Sequence, residues 1–123
     1  MKSGLALMIM GLGIISPAWA EPVPEISTEV AVLGGLDKVT ARTFTLEAKV
    51  GHPVRLGSLE IIARACRKRR PEENPESGAF LDVYDLRPDL PAKSIFRGWM
   101  FASSPALSAM EHPVYDVWVL DCE

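Results

Sequence analysis

RGWMFASSPALSAMEHPVYDVWVLDCE, Arg97 to Glu123, is the stretch on which the reading of the fold turns. It carries two β-rich runs on either side of a Ser-Pro signal. The first run starts slightly upstream, at Lys93, and reaches Ala102 (KSIFRGWMFA). Alternation along it puts Ile95, Trp99 and Phe101 on one face and Phe96, Met100 and Ala102 on the other. Apolar residues on both faces predict a central strand, or one covered by another element. The second run, Tyr115 to Cys122 (YDVWVLDC), sets Tyr115, Val117 and Val119 opposite Trp118, Leu120 and Cys122. Between the two, Ser104 can cap a helix, Pro105 suits its first position and Pro113 stops it, so a short helix is predicted near residues 105–110.

Upstream the same period of two recurs. Phe44, Leu46, Ala48 and Val50 alternate with Thr45, Glu47 and Lys49, and Gly51-His52-Pro53 turns the chain into Val54-Arg55-Leu56. Leu59 to Arg67 (LEIIARACR) is the longest candidate strand, with Leu59, Ile61, Ala63 and Ala65 on one face and Ile62 and Cys66 on the other. Lys68 to Gly78 is a polar loop, and Ala79 to Leu86 returns to strand character. Val30 to Leu33 is a shorter apolar run, expected to end at Gly34-Gly35. Six to seven short strands, turn signals every eight to twelve residues and one short helix predict an all-β fold, a small sandwich or barrel.

The first twenty residues read as a signal peptide. Lys2 is followed by an apolar stretch from Leu5 to Ile15, and Ala18-Trp19-Ala20 supplies a small-residue cleavage pattern before Glu21. The apolar run is too short, and too soon interrupted by Ser16 and Pro17, for a spanning helix of about 20 residues. Residues 21–28, with two prolines, read as a linker, and 29–123 as a single domain. Loss of Lys2 leaves 12 basic and 16 acidic side chains in the mature chain. That mild balance argues against general nucleic-acid binding. The expected location is the periplasm.

Only two cysteines are present, Cys66 and Cys122. In an oxidising compartment they are expected to pair, joining the end of the longest strand to the last strand, a pairing that is natural if the two are neighbours. The C-x-x-C spacing of thiol oxidoreductases is missing. Closing so long a loop is worth about 4 kcal/mol in the chain-entropy model.

Catalytic constellations are weak. His52 and His112 are far apart and each precedes a proline or lies in a turn, so no metal or other cofactor is expected. Ser103, Ser104, His112 and Asp116 have triad residue types but no nucleophile elbow. Asp82, Asp85, Glu111 and Asp116 could supply a carboxylate pair, yet acids on alternate strand positions usually form a solvated face. Arg67, Lys68, Arg69 and Arg70 make the sharpest charge run, partly offset by Glu72, Glu73 and Glu76. Trp99, Phe101, Tyr115 and Trp118 are expected mostly in the core.

Three stretches resemble one family: GLDKVTAR (Gly35 to Arg42), GSLEIIARACRKRRPEENPESGAF (Gly57 to Phe80) and GWMFASSPALSAMEHPVYDVWVLDC (Gly98 to Cys122). They are similar to the DUF2155 family of small exported alphaproteobacterial proteins. The resemblance implies a periplasmic protein and carries over no catalytic residue.

The expected function is therefore a non-enzymatic protein-interaction module, with a surface drawn from Trp99, Met100, Phe101 and Met110. The family's bacterial distribution suggests an accessory place on the periplasmic face of an inner-membrane complex, such as respiratory complex I. The alternative expectation is an envelope glycan or anionic-lipid binder, peripheral to the membrane, using Arg67 to Arg70.

Overall fold

The computed structural model describes residues 23–105 and 110–123. Eight strands are present: β1 (Ile26–Ser27), β2 (Val30–Asp37), β3 (Arg42–Lys49), β4 (Val54–Leu56), β5 (Leu59–Lys68), β6 (Ser77–Asp85), β7 (Lys93–Phe101) and β8 (Tyr115–Cys122). They form two antiparallel sheets packed face to face, so the all-β sandwich is the observed class. The larger sheet runs β1-β5-β6-β7, with β4 on the same edge of β5 as β1, and the smaller runs β3-β2-β8. The short helix predicted near 105–110 falls largely on residues outside those described.

The space between the sheets is filled by aliphatic and sulfur-bearing side chains. Leu33, Leu59, Ile61, Leu81, Val83, Met100, Val117 and Val119 are buried there, with alanines between them. Contrary to expectation, Trp99, Phe101 and Trp118 are not in this core; Tyr115 packs partly against it. Strand alternation explains why: Trp99 and Phe101 flank the inward Met100, and Trp118 lies between the inward Val117 and Val119.

Gly34-Gly35 does not end β2, which runs on to Asp37. Trp118 of β8 lies across Gly34, where a Cβ would come within 2.3 Å of the indole, and Leu56 approaches Gly35 to 2.9 Å of a built Cβ. Glycine inside a strand here marks the close approach of a large neighbour. Part of the segment expected to be a linker is also structured, since β1 pairs Ile26 and Ser27 with Lys68 and Arg67. Strand β7, expected to be central or covered by another element, is an edge strand with no such cover among the described residues. Its apolar outer face must therefore be explained in another way.

Cys66 and Cys122 form the predicted disulfide, with Cα atoms 5.7 Å apart. They do not sit on neighbouring strands. Cys66 belongs to the larger sheet and Cys122 to the smaller, so the bond crosses the sandwich interior. Simple alternation would have turned both side chains outward. Two β-bulges correct this. Arg64 is an extra residue between the Ala63–Leu81 and Ala65–Phe80 pairs, and Leu120 an extra one between the pairs of Leu33 with Val119 and Val32 with Asp121. Each bulge shifts the downstream parity by one and carries its cysteine inside.

The residues that follow β7 and those that precede β8 are each fastened to the larger sheet. At one end the Glu76 carboxylate accepts hydrogen bonds from the backbone N–H of Ser103 (3.1 Å) and from the Ser103 hydroxyl. At the other, His112 Nε2 meets Asp85 Oδ2 at 3.1 Å. Met110, between these anchors, is buried in the core.

Candidate interaction surface

The outer face of the larger sheet gathers aromatic residues that the sequence spreads over β6 and β7. Phe80, Asp82 and Tyr84 alternate with the inward Ala79, Leu81 and Val83, and β7 sets Trp99 opposite Phe80, Phe101 opposite Gly78 and Arg97 opposite Asp82. Trp99 meets Phe80 edge-on at a centroid distance of 5.7 Å and stacks beside Phe101 at 6.1 Å. Phe101 leans over Gly78, where a Cβ would lie 2.7 Å from its ring. The three rings form one row, half-buried by one another and by the sheet. Such pairs add roughly 0.5–1.5 kcal/mol beyond their buried area. Among the described residues no further layer covers them.

Polar residues on this face are basic in balance. Cross-strand register places Arg55 opposite Glu60 and Arg67 opposite Gly78, while bulged Arg64 reaches Asp82. Asp82 is 1% exposed, and its Oδ2 accepts from Arg64 Nη2 and from the Tyr84 hydroxyl, each at 3.3 Å. Its Oδ1 has no partner among the described residues. Removing one partner of so buried a charge is costly, so Arg64 has a structural duty. Arg67 and Arg97 are exposed and form no ion pair with the described residues.

The sequence-predicted surface is thus only partly assembled. Trp99 and Phe101 are brought together at the surface. Met100 and Met110 are buried, at 2% and 4% exposure, and contribute nothing to a contact face. Met100 points inward because it lies between two outward residues of β7. Phe80, Arg97, Arg64, Asp82 and Tyr84 were not anticipated as parts of this face. The alternation in AFLDVYD was a usable signal for Phe80, Asp82 and Tyr84; the placement of Arg64 depends on a bulge and had none.

The basic run does not make one patch. Arg67 joins the aromatic face. Arg69 donates from its backbone N–H to Glu76 and from Nη1 to the Asn74 carbonyl, and Arg70 pairs with Glu25 at 2.8 Å. Lys68, Arg69 and Arg70 share a shallow depression of about 180 Å³ with Glu73, Glu76 and Asp121. Acidic groups therefore line the same walls as the cations.

The serine, histidine and aspartate candidates are not brought together either. Ser103 is held by Glu76, Asp116 pairs with Lys38 at 3.4 Å, and His112 is held by Asp85. His112 Nδ1 accepts the backbone N–H groups of Val114 (3.1 Å) and Tyr115 (3.2 Å), which leaves Nε2–H to donate to Asp85. Both ring nitrogens are occupied in fastening the connection. The Ser58 hydroxyl, and next to it His112, hold the Asp85 carboxyl below its ordinary range against the opposing effect of burial. A cleft of about 420 Å³ opens beside this pair, lined also by Arg87, Lys93, Ser94 and Glu111.

A family model described as "Uncharacterized protein conserved in bacteria (DUF2155)" matches residues 31–122. A protein of Rickettsia prowazekii (strain Madrid E), named "Uncharacterized protein RP359", is 30% identical over 87 residues, 71% of this chain. The match spans 56% of that protein's own length. No solved structure matches. The matched region begins inside β2 and ends on Cys122, so it takes in both sheets, the bulges and the disulfide. The chain belongs to the DUF2155 family.

Proposed function

We propose that this protein is an exported, non-enzymatic interaction module that docks on a protein partner through the outer face of its larger sheet. The observation that carries the reading is the row Phe80–Trp99–Phe101, which stands on the outer face of the β6–β7 edge with no further layer above it among the described residues. Large aromatic residues are the usual anchors of protein interfaces, and here the core has been completed without them. The inter-sheet disulfide supports an oxidising location, and the leader-like first twenty residues support export to the periplasm. The docking place we favour is the periplasmic face of an inner-membrane complex, with this protein as an accessory subunit.

The test is mild crosslinking of the tagged protein in its native host, followed by mass spectrometry, for wild type and for Trp99→Ala/Phe101→Ala. A single stoichiometric membrane partner, lost in the double variant while the disulfide still forms, is the expected result. Recovery of monomer alone from both proteins would remove this reading.

A further inference from the structure

We infer that the occupant of the aromatic face is an acidic protein segment, selected by Arg67 and Arg97 on either side of the Trp99–Phe101 row. This rests on the interaction-module reading and adds the partner's chemistry to it. The outer face of the larger sheet carries four arginines, Arg55, Arg64, Arg67 and Arg97, against two acids, Glu60 and Asp82. The chain as a whole has a net charge of −3, so the positive excess is local. Arg64 is bonded to the buried Asp82, while Arg55 stands across from Glu60 and Arg97 across from Asp82 by register alone.

Arg67 and Arg97, the two arginines nearest the aromatic row, form no ion pair among the described residues. Arg97 adjoins Trp99 on the outward row of β7, and Arg67 lies across Gly78 from Phe101. The row between them is thus apolar with a guanidinium at either end. Each guanidinium presents a planar fork suited to a carboxylate. An extended segment laid along the row could set one carboxylate against each guanidinium, with the rings beneath the apolar parts of its side chains. The same two charges would disfavour a basic partner, because like charges brought together at an interface are strongly unfavourable.

The test uses the full mature protein with a photo-crosslinking amino acid at Phe101, and at Thr45 on the smaller sheet as a control, in the native host. The crosslinked partner peptide is sequenced, and its yield is compared in otherwise wild-type protein and in Arg67→Glu/Arg97→Glu. We expect a peptide with net negative charge captured from position 101, with yield falling about tenfold or more in the charge-reversed variant. An Arg67→Lys/Arg97→Lys variant should keep a measurable part of the yield. A captured peptide of neutral or basic charge, or a yield indifferent to charge reversal, would overturn the acidic partner while leaving the docking face in place. Crosslinks to lipid, reproduced by binding to phosphatidylglycerol vesicles, would overturn it in favour of an anionic membrane. Capture from position 45 and none from 101 would remove the docking face itself. Disulfide formation and near-ultraviolet circular dichroism check that each variant is folded.

Discussion

The two sheets of the sandwich face solvent with the same device used to different extents. On the outer face of the smaller sheet one aromatic, Trp118, lies over one strand glycine, Gly34, with the Lys38–Asp116 ion pair nearby. On the larger sheet Phe101 lies over Gly78 in the same manner, but Trp99 and Phe80 extend it into a row, flanked by two arginines that form no ion pair among the described residues. The smaller sheet therefore shows how little is needed to cover a glycine in a strand. What the larger sheet has beyond that is not required by the fold, and this surplus is the physical basis for assigning function to one face and not the other.

Removing the bond between the faces should have the largest effect. Cys66→Ala/Cys122→Ala releases a loop with a sequence separation of 56 residues. The chain-entropy model gives a loss of about 4 kcal/mol, measured by urea unfolding of oxidised wild type against the variant. If the sheets were independent units, the loss would be small and unfolding would show two transitions.

Next come the glycines beneath the rings. Gly34→Ala places a methyl 2.3 Å from the Trp118 indole, and Gly78→Ala one 2.7 Å from Phe101. Each should cost about 1–3 kcal/mol, the range for overpacking, with Gly34→Ala the worse because its approach to the ring is closer. Equal and negligible costs would mean that the rings are not seated on the strands. The comparison then sharpens at the tryptophans. Both Trp99→Ala and Trp118→Ala should lower stability, but only Trp99→Ala should weaken partner capture, by about 2 kcal/mol or more as for an interface anchor.

How much of this was legible in the sequence depends on strand parity. The strands, the all-β class and the cysteine pair followed from period-two patterns and composition. The inward path of Cys66 and Cys122 did not, because the bulges at Arg64 and Leu120 invert parity and no residue in those runs announces them. The same limit applies to the surface. Trp99 and Phe101 were readable as one face of β7, while Met100 was taken for surface although it sits between them and must point the other way. Gly34-Gly35 looked like a stop because a glycine's role as a seat for a distant tryptophan is a tertiary fact.

The smallest effect concerns neither face. Asp85 fastens the β7–β8 connection, and its carboxyl is held below the ordinary range chiefly by Ser58 and then by His112. With the folded value depressed, the unfolded chain takes up the proton first as pH falls. The stabilisation is therefore complete above the unfolded value near pH 4 and is lost as pH drops through the folded one. Asp85→Asn should flatten this acid-side decline in urea midpoint between neutral pH and pH 3, and leave partner capture unchanged. A decline as steep in the variant as in wild type would assign the acid sensitivity elsewhere.

The central claim, that one outer face is occupied in the cell and the other is not, is tested most directly by hydroxyl-radical footprinting of the two tryptophans in native membranes and in the purified protein. The account predicts that oxidation of Trp99 falls several-fold in the native setting while that of Trp118 stays the same. Protection of Trp118 with Trp99 labelled equally in both settings would contradict it.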